Sequence, residues 1–209
     1  MQLEAKNIGF RYQKNLWLFR NFSLTLNSGE ILGLKGQSGS GKTTMARILA
    51  GYEKALEGSI ELGGVPLPKR EYSVVQLVFQ HPEKSVNPRW HMRDILLEGW
   101  QPDDEVLAKL GIQKEWLSRW PNELSGGELQ RFCVARALSP ETKFLIADEM
   151  TSMLDAITQA QIWQVILGLA KERNLGILVV SHEEELVKRV CDRVIDLDAA
   201  ILERNSFVS

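Results

Sequence analysis

Apolar positions recur along this chain with two periods, and the switch between them predicts the order of elements. Phe22, Leu24 and Leu26 alternate with polar neighbours, the two-residue period of a half-buried strand. Asn27-Ser28-Gly29 then supplies a turn, and Ile31-Leu32-Gly33-Leu34 is an unbroken apolar run of the kind that a strand covered on both faces needs. Met45, Ile48 and Leu49 fall on one face of a helix that Gly51 ends. Gly58 to Leu62 and Val74 to Phe79 are predicted as further strands, Lys143 to Ala147 and Gly176 to Val180 as buried parallel strands, and Asp192 to Leu197 as a last one. Ile162, Val165, Ile166 and Leu169 mark the apolar face of an amphipathic helix between them. Short apolar strands separated by such helices predict an α/β fold with crossover connections.

Between about residues 81 and 140 the strand signal stops, and Pro82, Pro88, Pro102 and Pro121 punctuate what read as short helices. The expectation is a single domain over 1–209, its α/β core formed by about 1–80 and 141–209, with 81–140 inserted as a helical subdomain. Trp90, Trp100, Trp116 and Trp120 all lie in that insert. Large rings either fill the core of a small helical lobe or line a docking groove, and the sequence leaves both open.

Composition narrows the classes. At 209 residues and 44% hydrophobic, the chain can bury one substantial core without staples. A formal net charge of −2, with no run of five like charges, gives no general attraction to nucleic acid or anionic membrane. Cys133 and Cys191 stand far apart and read as buried free thiols. The start Met1-Gln2-Leu3-Glu4-Ala5-Lys6 lacks the features of a secretory signal, and the apolar runs fall short of the ~20 residues that a membrane-spanning helix needs. A cytosolic protein is expected.

Two glycine-rich segments carry the chemistry. Gly36-Gln37-Ser38-Gly39-Ser40-Gly41-Lys42-Thr43 fits the phosphate-loop pattern and sits between a predicted strand and a predicted helix, the context that the pattern requires. Backbone N–H groups from Gly36 to Thr44, including those of Ser38, Gly39, Ser40 and Gly41, are candidates to cradle a nucleotide's phosphates. Lys42 reaches the β and γ groups, and the Thr43 hydroxyl is available to Mg²⁺. Leu124-Ser125-Gly126-Gly127-Glu128 places a second glycine pair at a helix start, where free N–H groups and the helix dipole suit another anion. Farther on, Phe144-Leu145-Ile146-Ala147-Asp148-Glu149 is an apolar strand ending in two carboxylates, Asp148 to hold the metal and Glu149 to polarise the attacking water.

With these motifs in hand, nearly the whole chain, from near residue 3 to near residue 197, resembles the nucleotide-binding subunit of an ATP-binding cassette (ABC) transporter. The resemblance implies a phosphate-loop core with an inserted helical subdomain and a small antiparallel β portion. It implies that ATP and Mg²⁺ are used, and that Gln80 contacts the metal and water. Ser125, Gly126 and Gly127 belong to the family signature, which binds the γ-phosphate of ATP held by a second subunit. Ser152-Met153-Leu154-Asp155 resembles the loop at the dimer seam, with Asp155 counted among the nucleotide-site residues. His182 resembles the switch histidine on the γ-phosphate, Tyr12 matches the aromatic that stacks on adenine, and Thr44 completes the loop. The implied assembly is a head-to-tail dimer, with an identical or paralogous cassette, docked on integral permease subunits at the cytoplasmic face of the cell membrane, with no nucleic acid partner. Phe79-Gln80-His81-Pro82, Ser85 to Arg89 and the stretch from Asp148 to Gln161 resemble the oligopeptide, dipeptide and nickel importer ATPases.

Other classes fit less. DNA-repair ATPases with the same head insert heptad arms between Gln80 and the signature, and only about 44 residues without heptads lie there. Translation factors of the family carry two cassettes, and a nucleotide kinase leaves Ser125 to Glu128 unexplained. Two departures from the family pattern stand out. Importers of this group often extend beyond the cassette, so regulation through such an extension is not expected, and Asp198-Ala199-Ala200 replaces a glycine turn, predicting an irregular hairpin. His81 and His91 have no ligand spacing with Cys133 or Cys191, so no transition-metal site is expected here.

Overall fold

The computed structural model describes residues 1–14, 16–67 and 73–200. Two sheets organise them. The first is antiparallel and contains β1 (Gln2–Phe10), β2 (Phe19–Asn27), β4 (Glu57–Leu62) and β5 (Val65–Pro66), in the order β2-β1-β4-β5. The second is parallel and contains β3 (Ile31–Lys35), β6 (Val75–Val78), β7 (Phe144–Asp148), β8 (Gly176–Val180) and β9 (Arg193–Asp196), in the order β6-β7-β8-β3-β9. Every residue of β7 and β8 is buried, as expected for parallel strands covered on both faces.

The helices are α1 (Lys42–Leu49), α2 (Met92–Leu97), α3 (Asp104–Lys109), α4 (Gly126–Ala137), α5 (Ala156–Arg173) and α6 (Glu184–Val190). Residues 79–143 contain helices and 3-10 turns and no strand. None of the helices is long and apolar enough to cross a membrane, among the described residues.

The pleat of the parallel sheet sorts its side chains into two cores. Leu145, Ala147, Ile177 and Val179 face Phe132, Val134, Ile162 and Ile166 of α4 and α5, together with Met92 and Ile95 of α2. Phe144, Ile146, Leu178 and Val180 face Met45, Ile48 and Leu49 of α1 and the inner residues Leu3, Ile8, Phe22 and Leu24 of the antiparallel sheet. Each of the larger aliphatic and aromatic side chains among them contributes roughly 1.5–3 kcal/mol relative to exposure. The helical stretch thus shares a continuous core with one face of the sheet.

Two expectations change. The chain after β9 turns into helix over residues 197–200 instead of a hairpin, because Asp196 Oδ1 accepts the N–H groups of Asp198 (3.1 Å) and Ala199 (3.2 Å) and starts a turn. Cys133 is a buried free thiol, but Cys191 is only half-buried. Of the open question about the tryptophans, the structure answers the packing half. Trp116 is buried and Trp100 donates its indole N–H to the Ala135 carbonyl (2.9 Å), while Trp90 and Trp120 are exposed.

Candidate active site

The phosphate loop begins where β3 ends and closes onto α1. Gly39 and Gly41 take left-handed φ values of 82° and 100°, which side chains resist. A β-carbon on Gly41 would also meet the Leu18 side chain at 2.8 Å. Gly41 is the N-cap of α1 and brings no side-chain acceptor, so the first-turn N–H groups are presented to an anion. Within the loop Ser40 Oγ is buried without a hydrogen-bond partner, a further donor suited to phosphate oxygen. Lys42 Nζ donates to the carbonyls of Gly36 and Gln37, both at 2.8 Å, which keeps the ammonium over the loop. The hydroxyls of Tyr12 and Thr44 lie 2.9 Å apart, bringing the tyrosine to the loop's edge.

Strand register assembles the rest. β7 pairs with β8 so that Asp148 lies opposite Val180, and β6 pairs with β7 so that Val78 lies opposite Ala147. The residues just beyond these strand ends, Gln80, Glu149 and His182, therefore emerge together. Asp148 is buried and accepts from the Thr43 hydroxyl at 3.2 Å. Burial, the largest influence, pushes its carboxyl above the usual range against the Thr43 bond, and the charge of Glu149 adds to the rise.

Glu149 has a left-handed backbone (φ 48°), a conformation that costs a non-glycine residue roughly 1–3 kcal/mol and persists where surroundings enforce it. Its N–H donates to the Val180 carbonyl (2.9 Å), and its own carbonyl accepts from the Ser152 N–H and hydroxyl. The side chain is held at both oxygens. Gln80 Nε2 donates to Oε2 at 3.1 Å, and His182 Nδ1 lies 3.1 Å from Oε1. The same Gln80 amide reaches Ser152 Oγ at 3.1 Å.

Tyr12, Ser38, Gly39, Gly41, Lys42, Thr43, Thr44, Gln80, Glu149 and His182 line one cavity of about 700 Å³, with Leu18 on its wall. Asp148 joins Thr43 and Gln80 on an adjacent cavity. Ser40 faces a third, and Gly36 meets the site through the carbonyl that accepts from Lys42. Ser125, Gly126, Gly127 and Asp155 do not line the 700 Å³ cavity. Ser125 caps α4, accepting from Glu128 N–H (3.3 Å) while its own N–H donates to Glu128 Oε2 (2.7 Å). Asp155 caps α5 by accepting the N–H groups of Ile157 and Thr158 at 3.0 Å, and bonding to Thr158 holds its carboxyl below the usual range. The two helix starts are neighbours, since a β-carbon on Gly127 would sit 3.4 Å from Thr158 Cγ2. One contact was not visible in the sequence: Asp198, from the turn after β9, accepts the Gln37 N–H. No motif marks it.

A phosphate loop at the end of an interior parallel strand, a buried aspartate and an oriented glutamate at the end of a second, and a cavity shared by the loop and the glutamate define a phosphate-loop nucleoside triphosphatase. The ABC transporter family profile matches residues 19–152, and the chain belongs to that family; it is an ATPase. It is 38% identical over 200 residues to the nickel import ATP-binding protein NikE of Escherichia coli, covering 87% of this chain and 75% of that one. It is 34% identical to the oligopeptide transport ATP-binding protein OppF of Streptococcus mutans, covering 92% and 70%. Among solved structures, the dimeric structure of MJ0796, a bacterial ABC transporter cassette, has a TM-score of 0.79 at 24% identity, with 93% of each chain covered. That likeness establishes the fold.

Proposed function

We propose that this chain is the ATP-hydrolysing subunit of a membrane importer for nickel, a metal chelate or a peptide, paired head-to-tail with a second cassette on permease subunits at the cytoplasmic face. The observation that carries it is the Glu149 carboxylate, held between Gln80 and His182 at the phosphate-loop cavity, in a chain closely related to nickel and oligopeptide import proteins. The loop N–H groups and Lys42 hold the triphosphate, and the Tyr12 ring takes the adenine. Thr43, Gln80 and Asp148 fit Mg²⁺: they offer the oxygen donors that a hard cation takes, and Asp148 is a buried carboxylate whose charge a cation would stabilise. When bound, Mg²⁺ neutralises charge on the phosphates.

Glu149 takes a proton from the attacking water, Gln80 orients that water, and His182 hydrogen-bonds the γ-phosphate. Ser125, Gly126 and Gly127, with Asp155 beside them, complete the nucleotide site of the second cassette. Residues 81–140 act as a lobe, and exposed Trp90 and Trp120 with Arg89 give it a face for a cytoplasmic segment of the permease.

The test is uptake of radioactive nickel and of a labelled oligopeptide by cells in which Glu149→Gln replaces the native chain. Loss of one uptake identifies the cargo class. Unchanged uptake of both, and of a labelled metal chelate assayed in the same way, with the variant present at the native level, removes the importer reading.

A further inference from the structure

An acidic segment from the end of β9 is fastened to the root of the phosphate loop. β9 runs beside β3 with Asp196 opposite Lys35, and Asp196 Oδ2 lies 3.5 Å from Lys35 Nζ. The other carboxylate oxygen of Asp196 starts the helical turn through the N–H groups of Asp198 and Ala199. That turn brings Asp198 back to the loop, where its Oδ2 accepts the Gln37 N–H at 2.6 Å. Gly36 makes the approach possible, because a β-carbon there would lie 3.1 Å from Asp198 Oδ2 and 2.8 Å from Ser40 Oγ. Asp198 shares a cavity wall with Gln37, Gly39 and Ser40.

A carboxylate beside a loop that receives phosphates repels the ligand. Its presence there has to be offset by something that it contributes to the loop, and the charge-assisted bond to Gln37 is such a contribution. We propose that Asp198 is a positioning residue for ATP: by holding the Gln37 N–H it sets the first turn of the loop, so that the donors from Ser38 to Thr44 converge on the phosphates. It touches no reacting atom. Asp196 acts one step further back, by fixing the turn that aims Asp198. The inference rests on ATP being held by this loop.

The experiment measures ATP affinity by calorimetry and the rate at saturating ATP by phosphate release, on the full chain. Asp198→Ala is expected to weaken ATP about tenfold, the scale of one charged hydrogen bond, with kcat within about twofold. Asp198→Asn keeps an oxygen acceptor and should stay within about threefold of native affinity. Asp196→Ala should weaken ATP by less and add nothing in the double variant, because both act through the same link. Native affinity in Asp198→Ala, or equal losses in its Ala and Asn variants, overturns the proposal. If Asp198→Ala gives no cooperative melt, Asp196→Ala decides, and native affinity there overturns it as well. Lys42→Ala separates the two readings: native affinity in that variant removes the ATP site itself, whereas its loss alongside a native Asp198→Ala removes only the positioning role.

Discussion

Two helices in this molecule have glycines at their starts, and the two starts are built differently. α1 begins at Gly41, left-handed and without a side-chain acceptor, beside a buried Ser40 hydroxyl that has no partner. α4 begins at Ser125, whose hydroxyl and backbone are tied to Glu128 in a reciprocal box. The first end has donors to spare, the arrangement that suits an anion. The second stabilises its own first turn, and an anion arriving there meets a carboxylate already in place. A glycine-rich helix start is therefore not by itself a complete phosphate site. In this chain the α1 end keeps its donors free, and the role proposed for the α4 end depends on nucleotide held by a second cassette.

The largest effect that tests this contrast is expected at Lys42. Lys42→Ala should abolish measurable ATP binding in calorimetry, since the charge that meets the phosphates is gone. Hydrolysis at the native rate would erase the distinction between the ends. Next comes Glu149→Gln, which keeps the shape and loses the base. Turnover should fall about 10²- to 10⁴-fold with ATP affinity retained, and a closed dimer with the correct second cassette should accumulate on size exclusion in ATP. Ser125→Arg sharpens the comparison from the other side. ATP affinity of the same subunit should stay within about twofold while turnover by the pair falls roughly tenfold or more. Equal losses of affinity and turnover would mean that the α4 end acts within its own chain.

The smallest effect concerns stability. Burial raises the folded-state pKa of Asp148 above its ordinary value, so the native state is favoured below the unfolded pKa and loses that advantage as pH rises through the folded one. At neutral pH the buried charge is a cost in the nucleotide-free protein. Asp148→Asn should melt a few degrees higher at neutral pH, with the gain shrinking as the solution is made acidic. A variant that melts lower at neutral pH and equally so in acid would show that the carboxylate is not strained by burial.

The parts of this fold that could be read from sequence are those where one physical demand dominates. β7 and β8 are covered on both faces, β3, β7 and β8 are apolar apart from the last residues Lys35 and Asp148, and the loop between β3 and α1 has a glycine pattern with a steric reason. β1 was harder. Leu3 and Ala5 are buried on one parity and Ile8 and Phe10 on the other, because the register shifts around a left-handed Asn7 and the alternation breaks mid-strand. The spacing Ser125-x-x-Glu128 is a capping signal, and the glycines inside it suit anion binding as well, so residue type alone does not separate the two. Asp155 combines a motif position with an ordinary N-cap, so its type alone could not separate the two. The sequence marks a turn at Asp198-Ala199-Ala200 but not its helical form, because the cause, a carboxylate two residues earlier, leaves no period in the sequence.

The register of β3 carries a consequence for how the protein comes into being. Ile31 pairs with Ile177 on one side, and Leu32 pairs with Arg193 on the other. Both neighbours of the strand that leads to the phosphate loop are thus translated long after it. On the ribosome the loop emerges before either flanking strand, and it lacks both until residues beyond 190 have left the exit tunnel. Such long-range pairing is slow to form and leaves apolar strands uncovered meanwhile. The loop at the end of β3 is flanked on both sides only once β8 and β9, encoded far downstream of it, have paired with that strand, so ATP is expected to stabilise the assembled sheet and not to guide the folding that precedes it.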